Sequence, residues 1–176
     1  GIFSILENLN LKKNDEVIVT AFTCSVVINA IKKLRLKPTY VDIDHKTLGT
    51  SYFDLKKKIT KKTKLIIVQH SFGIPCKIDK IMKLAKKNKI FVLEDCSISI
   101  GSKIKNKVIG TFGDASVFSF DHTKPINCFV GGALYVKKKK LINFLENQEK
   151  NLKPLQSIKT DKMIQRFKFE NLYCNY

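Results

Sequence analysis

Short apolar runs recur along this chain, with stretches of helical spacing between them. Glu16 to Val19, Thr39 to Val41, Leu65 to Val68 and Ile90 to Leu93 read as strands. An opening helix closes over Leu6 to Leu11. Ser25 to Leu34 carries Val26, Ile28, Ala30 and Ile31 at helical positions, and Asp54 to Ile59 is a short basic helix. Ile78 to Lys87 places Ile81, Leu84 and Ala85 on one face, while Pro38 resets the chain before its strand. Apolar strands alternating with amphipathic helices predict parallel pairing, right-handed crossovers and a three-layer α/β/α fold with a largely parallel sheet. After Asp95 the pattern changes. Ser102 to Ile109 reads as a small hairpin turning at Lys105-Asn106, followed by strands at Ala115 to Phe120 and Ala133 to Val136. Lys139 to Lys150 is predicted as the final helix, and the tail from Asn151 shows no period.

The composition narrows the class. With 176 residues and 44 % hydrophobic content, the chain is long enough for one domain with its own core. No apolar stretch is long enough to span a bilayer and no signal peptide opens the chain, so the expected location is cytoplasmic with no membrane partner. The five cysteines are odd in number and form no CxxC, which indicates reduced thiols and neither a disulfide framework nor a metal site. The net charge of +18 suggests nucleic acid at first sight. Of the 33 basic residues, however, only Arg35 and Arg166 are arginine, the residue that nucleic-acid surfaces use for bidentate and stacking contacts. The lysines are scattered over most of the chain, and no nucleic-acid partner is expected.

Ligands of parallel α/β sheets bind at the carboxyl ends of strands. Those ends carry Thr20-Ala21-Phe22-Thr23, Gln69-His70-Ser71, Glu94-Asp95, and Ser119 with Lys124 just beyond. Each has a plain structural reading. A lone lysine is usually solvated, a histidine after a strand is more often hydrogen-bonded in the framework, and an acidic pair often caps a helix. Gly131-Gly132 can simply make a turn. Taken together, one strand delivers a carboxylate and another a lysine. A pyridoxal 5′-phosphate (PLP) enzyme needs that pairing: an amine to bond the aldehyde and an acid to keep the pyridine nitrogen protonated.

Longer stretches carry a resemblance. NDEVIVTAFTCSVVINAI, KPTYVDID, HSFGIP, FVLEDCSISIGS, VIGTFGDASVFSF, HTKPIN and GGALYV run in order over about the first 136 residues. They resemble the DegT-type family, the PLP-dependent aminotransferases of nucleotide-sugar biosynthesis. The resemblance implies a fold type I, aspartate aminotransferase-like large domain over residues 1–150, lacking the phosphate-loop segment that begins before Gly1. Residues 151–176 would then start the connection to an absent small C-terminal domain, with apolar surface exposed around Phe167, Phe169, Leu172 and Tyr173. It implies a homodimer, a nucleotide-sugar substrate and an amino-acid amino donor.

Position by position, Lys124 matches the lysine that holds PLP and moves the substrate proton, Asp95 the aspartate on the pyridine nitrogen, and Ser119 a serine on the phosphate. Lysine at 124 favours transamination over the family's sugar dehydratases, which have histidine there. Cys24 stands where an aromatic residue often stacks on the ring, although some members use cysteine. Ile98 replaces the glutamine that reaches the ring hydroxyl, Ile100 replaces a histidine, and Phe129-Val130 replace the Gly-Glu of a GEGG motif. These departures motivate the alternative of a non-catalytic or regulatory relative that keeps the fold.

Overall fold

The structure is a computed structural model and describes residues 1–128, 130–152 and 157–173. It divides into two compact units, Gly1–Leu145 and Glu146–Tyr176. The first is built on a six-stranded sheet ordered β2-β1-β3-β4-β7-β8. Its strands are β1 (Glu16–Thr20), β2 (Lys37–Val41), β3 (Thr63–Gln69), β4 (Phe91–Asp95), β7 (Ala115–Ser119) and β8 (Gly132–Val136). All neighbours pair in parallel except β7 and β8, which are antiparallel. A separate hairpin joins β5 (Lys103–Ile104) to β6 (Lys107–Val108), turning at Lys105, which takes a left-handed φ of 53°.

Alternation along the central strands sends side chains into two cores, which is why β1, β3 and β4 read as continuous apolar runs. Ile18, Ile66, Val68 and Val92 pack against α3 (Tyr52–Lys58) and α4 (Ile78–Lys87) through Leu55, Ile78, Ile81 and Ala85. Val17, Val19, Leu65, Ile67 and Leu93 pack on the other face against α1 (Ile2–Asn8), α2 (Ser25–Lys33) and the start of α5 (Lys139–Lys150), through Ile5, Leu6, Val27, Ile31 and Leu141. Helices on both faces make the three layers expected from the sequence.

Three elements depart from the sequence reading. The opening helix ends at Asn8 and not at Leu11, where Asn10 with a left-handed φ of 49° turns the chain out of the helix. Strand β2 does not start after Pro38 but runs through it, with Pro38 in register with Val17. An edge strand tolerates proline, because the missing N–H is needed only on a paired side. The helix at Lys139–Lys150 is not the last. The second unit contains α6, Ser157–Tyr173. Its apolar residues form no stripe: Met163, Ile164 and Phe169 are all exposed. A periodicity reading therefore has nothing to detect there, although Lys, Met, Gln and Arg are good helix formers. Phe169 is 60 % exposed, whereas the side chains of Leu172 and Tyr173 lie outside the described residues.

Candidate active site

The carboxyl edge of the parallel strands collects the candidate residues. Gln69 of β3 stands in register with Asp95 of β4, and Asp95 with Val117 of β7. Ser119, half-buried, is two residues further along β7 and ends it. The chain then makes an excursion over 121–127 that is closed at its base: Phe120 N–H donates to Gly131 O at 2.9 Å, and Cys128 N–H to Phe120 O at 2.9 Å. Lys124 lies in this excursion, half-buried, and its backbone N–H donates to Asp121 O at 2.9 Å. Beside it, His122 Nδ1 is 2.9 Å from Asp121 Oδ1, and the His122 hydrogen bond is the main cause holding the Asp121 carboxyl below its ordinary pKa.

Asp95 is 8 % exposed. Ser97 donates to its Oδ1 twice, from the backbone N–H at 3.0 Å and from the hydroxyl at 2.6 Å. Among the described residues no ion pair reaches Asp95. A buried carboxylate without a cation is costly unless a ligand supplies one. Asp95 offers an acceptor that fits a protonated pyridine nitrogen, with Ser119 ending the neighbouring strand and Lys124 beyond it.

The other expected positions are less directly joined to this pair. Ile98 is half-buried in the turn after β4 and offers no hydrogen bond. Cys24 is exposed beyond β1, where it precedes α2 without making a side-chain cap bond. In the sheet, β3 separates β1 from β4. Val130 is exposed, and Phe129 lies outside the described residues.

His70 does not join the edge as a reactive group. Its ring is fully buried, with Nε2 3.1 Å from Glu94 Oε2 and Nδ1 accepting from Cys76 N–H at 3.2 Å. An accepting Nδ1 requires the proton on Nε2, so the neutral ring donates to Glu94. Glu94 also accepts from Gly110 N–H at 3.0 Å, Phe112 N–H at 2.8 Å and Gly113 N–H at 2.6 Å. Burial pushes its pKa up, but the hydrogen bonds from His70, Gly113 and Gly110 outweigh it and hold the carboxyl below its ordinary value. The GTFGDA segment is built for this contact. Gly110 has φ +94°, and a Cβ at Gly113 would stand 2.8 Å from Val92 O and 3.2 Å from Glu94 Cγ. The sequence reading listed Glu94 beside Asp95 at the strand end but did not give it this bracing role, for which the paired glycines were the available signal. His70, Glu94 and Cys96 bring their donor atoms within 4.8 Å of one another. His70 and Glu94 are spent on each other and on backbone N–H groups, so the cluster is a structural brace.

In an α/β/α sandwich, an acid at one strand end and a lysine beyond the adjacent strand stand where parallel α/β sheets bind ligands. The sequence model of the DegT/DnrJ/EryC1/StrS aminotransferase family matches residues 1–162, and the chain belongs to that family. It is 44 % identical over 133 residues to a GDP-perosamine synthase of Escherichia coli O157:H7, a match covering 76 % of this chain and 36 % of that one. It is 34 % identical over 131 residues to a UDP-N-acetyl-3-dehydro-alpha-D-glucosamine 3-aminotransferase of Acidithiobacillus ferrooxidans, covering 74 % and 36 %. Among solved structures, an aminotransferase from Psychrobacter cryohalolentis superposes with a TM-score of 0.79 at 29 % identity, covering 82 % of this chain and 37 % of that one. An E. coli GDP-4-keto-6-deoxy-D-mannose-3-dehydratase with bound hydrated PLP gives 0.76 at 31 % identity, covering 82 % and 39 %. The chain thus spans 36 % of the length of the first of these relatives.

Proposed function

We propose that this chain is the cofactor-binding part of a PLP-dependent aminotransferase that moves an amino group from an amino acid to a keto-sugar nucleotide. The product would serve cell-surface polysaccharide or related sugar biosynthesis. The observation that carries this reading is Asp95: a nearly buried carboxylate with no cationic partner among the described residues, one strand from the segment bearing Lys124. Bound there, PLP supplies an aldehyde that bonds to amines and a ring that withdraws electrons. Asp95 holds a proton on the ring nitrogen. The Ser119 hydroxyl donates to the phosphate. Lys124 provides the amine that retains the cofactor and, once released, carries the proton to and from the substrate Cα. A lysine here supports transamination over dehydration. Ile98, with no hydrogen-bonding group, favours the second reading of a non-catalytic relative.

The reading includes a homodimer and a cytoplasmic location. Among the described residues no helix is long and apolar enough to cross a membrane. The part alone is expected to be inactive, so the test is to supply the full-length protein that carries this chain with PLP, a nucleotide-linked keto sugar and isotopically labelled glutamate, and to follow the label. Labelled nitrogen on the sugar is the expected result. Loss of water from the sugar without nitrogen incorporation would assign a dehydratase, and no reaction at all would favour the non-catalytic relative.

A further inference from the structure

Ser97 bears on the site through its side chain. Its backbone N–H and its hydroxyl converge on one oxygen of Asp95, Oδ1, at 3.0 and 2.6 Å. The shorter distance lies in the range of a charge-assisted O–H···O⁻ bond. A carboxylate offers about four acceptor positions over its two oxygens. Both donors take Oδ1, and among the described residues none reaches Oδ2. The turn itself does not need the hydroxyl. Cys96 N–H donates to Val117 O at 2.9 Å, Ser99 N–H donates to Cys96 O at 3.2 Å, and the Ser97 N–H bond to Asp95 survives removal of the side chain.

We propose that Ser97 is a positioning residue: its hydroxyl fixes the plane of the Asp95 carboxylate and leaves Oδ2 as the oxygen that meets the cofactor's ring nitrogen. The inference rests on the assignment of Asp95 made above. One donor leaves a carboxylate free to rock about Cβ–Cγ. A second, shorter donor on the same oxygen restrains it, so little ordering remains to be done on binding. In a site where Ile98 contributes no hydrogen bond, the orientation of the cofactor leans more heavily on Asp95.

The experiment compares the wild-type protein with Ser97→Ala, Ser97→Thr and Asp95→Asn. It measures PLP affinity, the pH midpoint of the bound cofactor's visible absorption band without substrate, and the unfolding midpoint without cofactor. Ser97→Ala is expected to weaken PLP binding about tenfold, the equivalent of one hydrogen bond to a charged group. It should also displace the spectral midpoint from the wild-type value, because a mobile carboxylate holds the ring proton less firmly and the ring's charge sets how readily the Lys124 nitrogen gives up its proton. Ser97→Thr should restore both, and the unfolding midpoint should stay at the wild-type value. If Asp95→Asn leaves affinity and spectrum unchanged, the assignment of Asp95 fails. If Asp95→Asn disrupts them while Ser97→Ala matches wild type, the positioning role fails alone. A Ser97→Ala protein with a lowered cofactor-free unfolding midpoint would make the hydroxyl a structural group and also overturn the proposal.

Discussion

His70 Nε2 lies 3.1 Å from Glu94 Oε2, and both side chains are fully buried. The next residue in the chain, Asp95, points to the opposite face of β4. Two consecutive carboxylates therefore have different work: Glu94 braces the fold, and Asp95 faces the candidate site. Glu94→Gln is expected to destabilise the protein by about 2 kcal/mol, because an amide presents donors to the N–H groups that the carboxylate now accepts. Asp95→Asn should cost less than about 1 kcal/mol, since its Oδ1 acceptor can be kept. Urea unfolding of the two variants checks this, and equal losses would contradict the division of roles.

The same brace sets an acid limit. Glu94 has a folded-state pKa below its ordinary value of 4.5. Its contribution to stability is therefore complete above the unfolded-state pKa and is lost as pH falls through the lower, folded-state one. Stability measured against pH should decline on acidification below about 4.5, with a shallower decline in Glu94→Gln. An identical acid limb in the variant would show that the carboxylate's charge is not what the brace uses.

Cysteine reactivity reports on the packing. Cys76 and Cys96 are buried, and desolvation pushes both thiols well above their ordinary range. Cys24 and Cys128 are exposed. Under native conditions a maleimide should label Cys24 and Cys128 and spare Cys76 and Cys96 until the protein is unfolded. Mass spectrometry of the labelled peptides reads this directly, and early labelling of Cys96 would place the end of β4 at the surface.

Much of this was legible in the sequence because the central strands are buried on both faces. Leu65 to Val68 and Ile90 to Leu93 could hardly be anything else, and Ile78–Lys87 was bounded at its true ends. The hairpin turn at Lys105-Asn106 was equally plain. Pro38 misled because its effect depends on whether the strand lies at an edge, which only the sheet order reveals. Helix α6 escaped because its apolar residues share no face. The candidate residues Asp95 and Ser119 close their strands and Lys124 lies beyond the second, so their order at the sheet edge could be read, whereas their roles rest on the proposed function. The parts played by Ser97 and Glu94 could not be read, since they are hydrogen bonds, and two of Glu94's partners, Phe112 and Gly113, lie 18 and 19 residues away.

In the proposed function, Lys124 is the residue that retains the cofactor. Borohydride reduces the carbon–nitrogen bond between an aldehyde and a lysine amine and makes it permanent. Treatment of the PLP-loaded full-length protein, followed by peptide mapping, should place the label on Lys124 and on no other lysine. Lys124→Ala should take no label and lose transamination, while its unfolding free energy stays within about 0.5 kcal/mol of wild type, because the side chain belongs to a partly exposed turn. Lys124→Arg should fail in the same way, since a guanidinium stays charged and cannot bond the aldehyde. A label on a different lysine, or undiminished turnover in Lys124→Ala, would contradict the account.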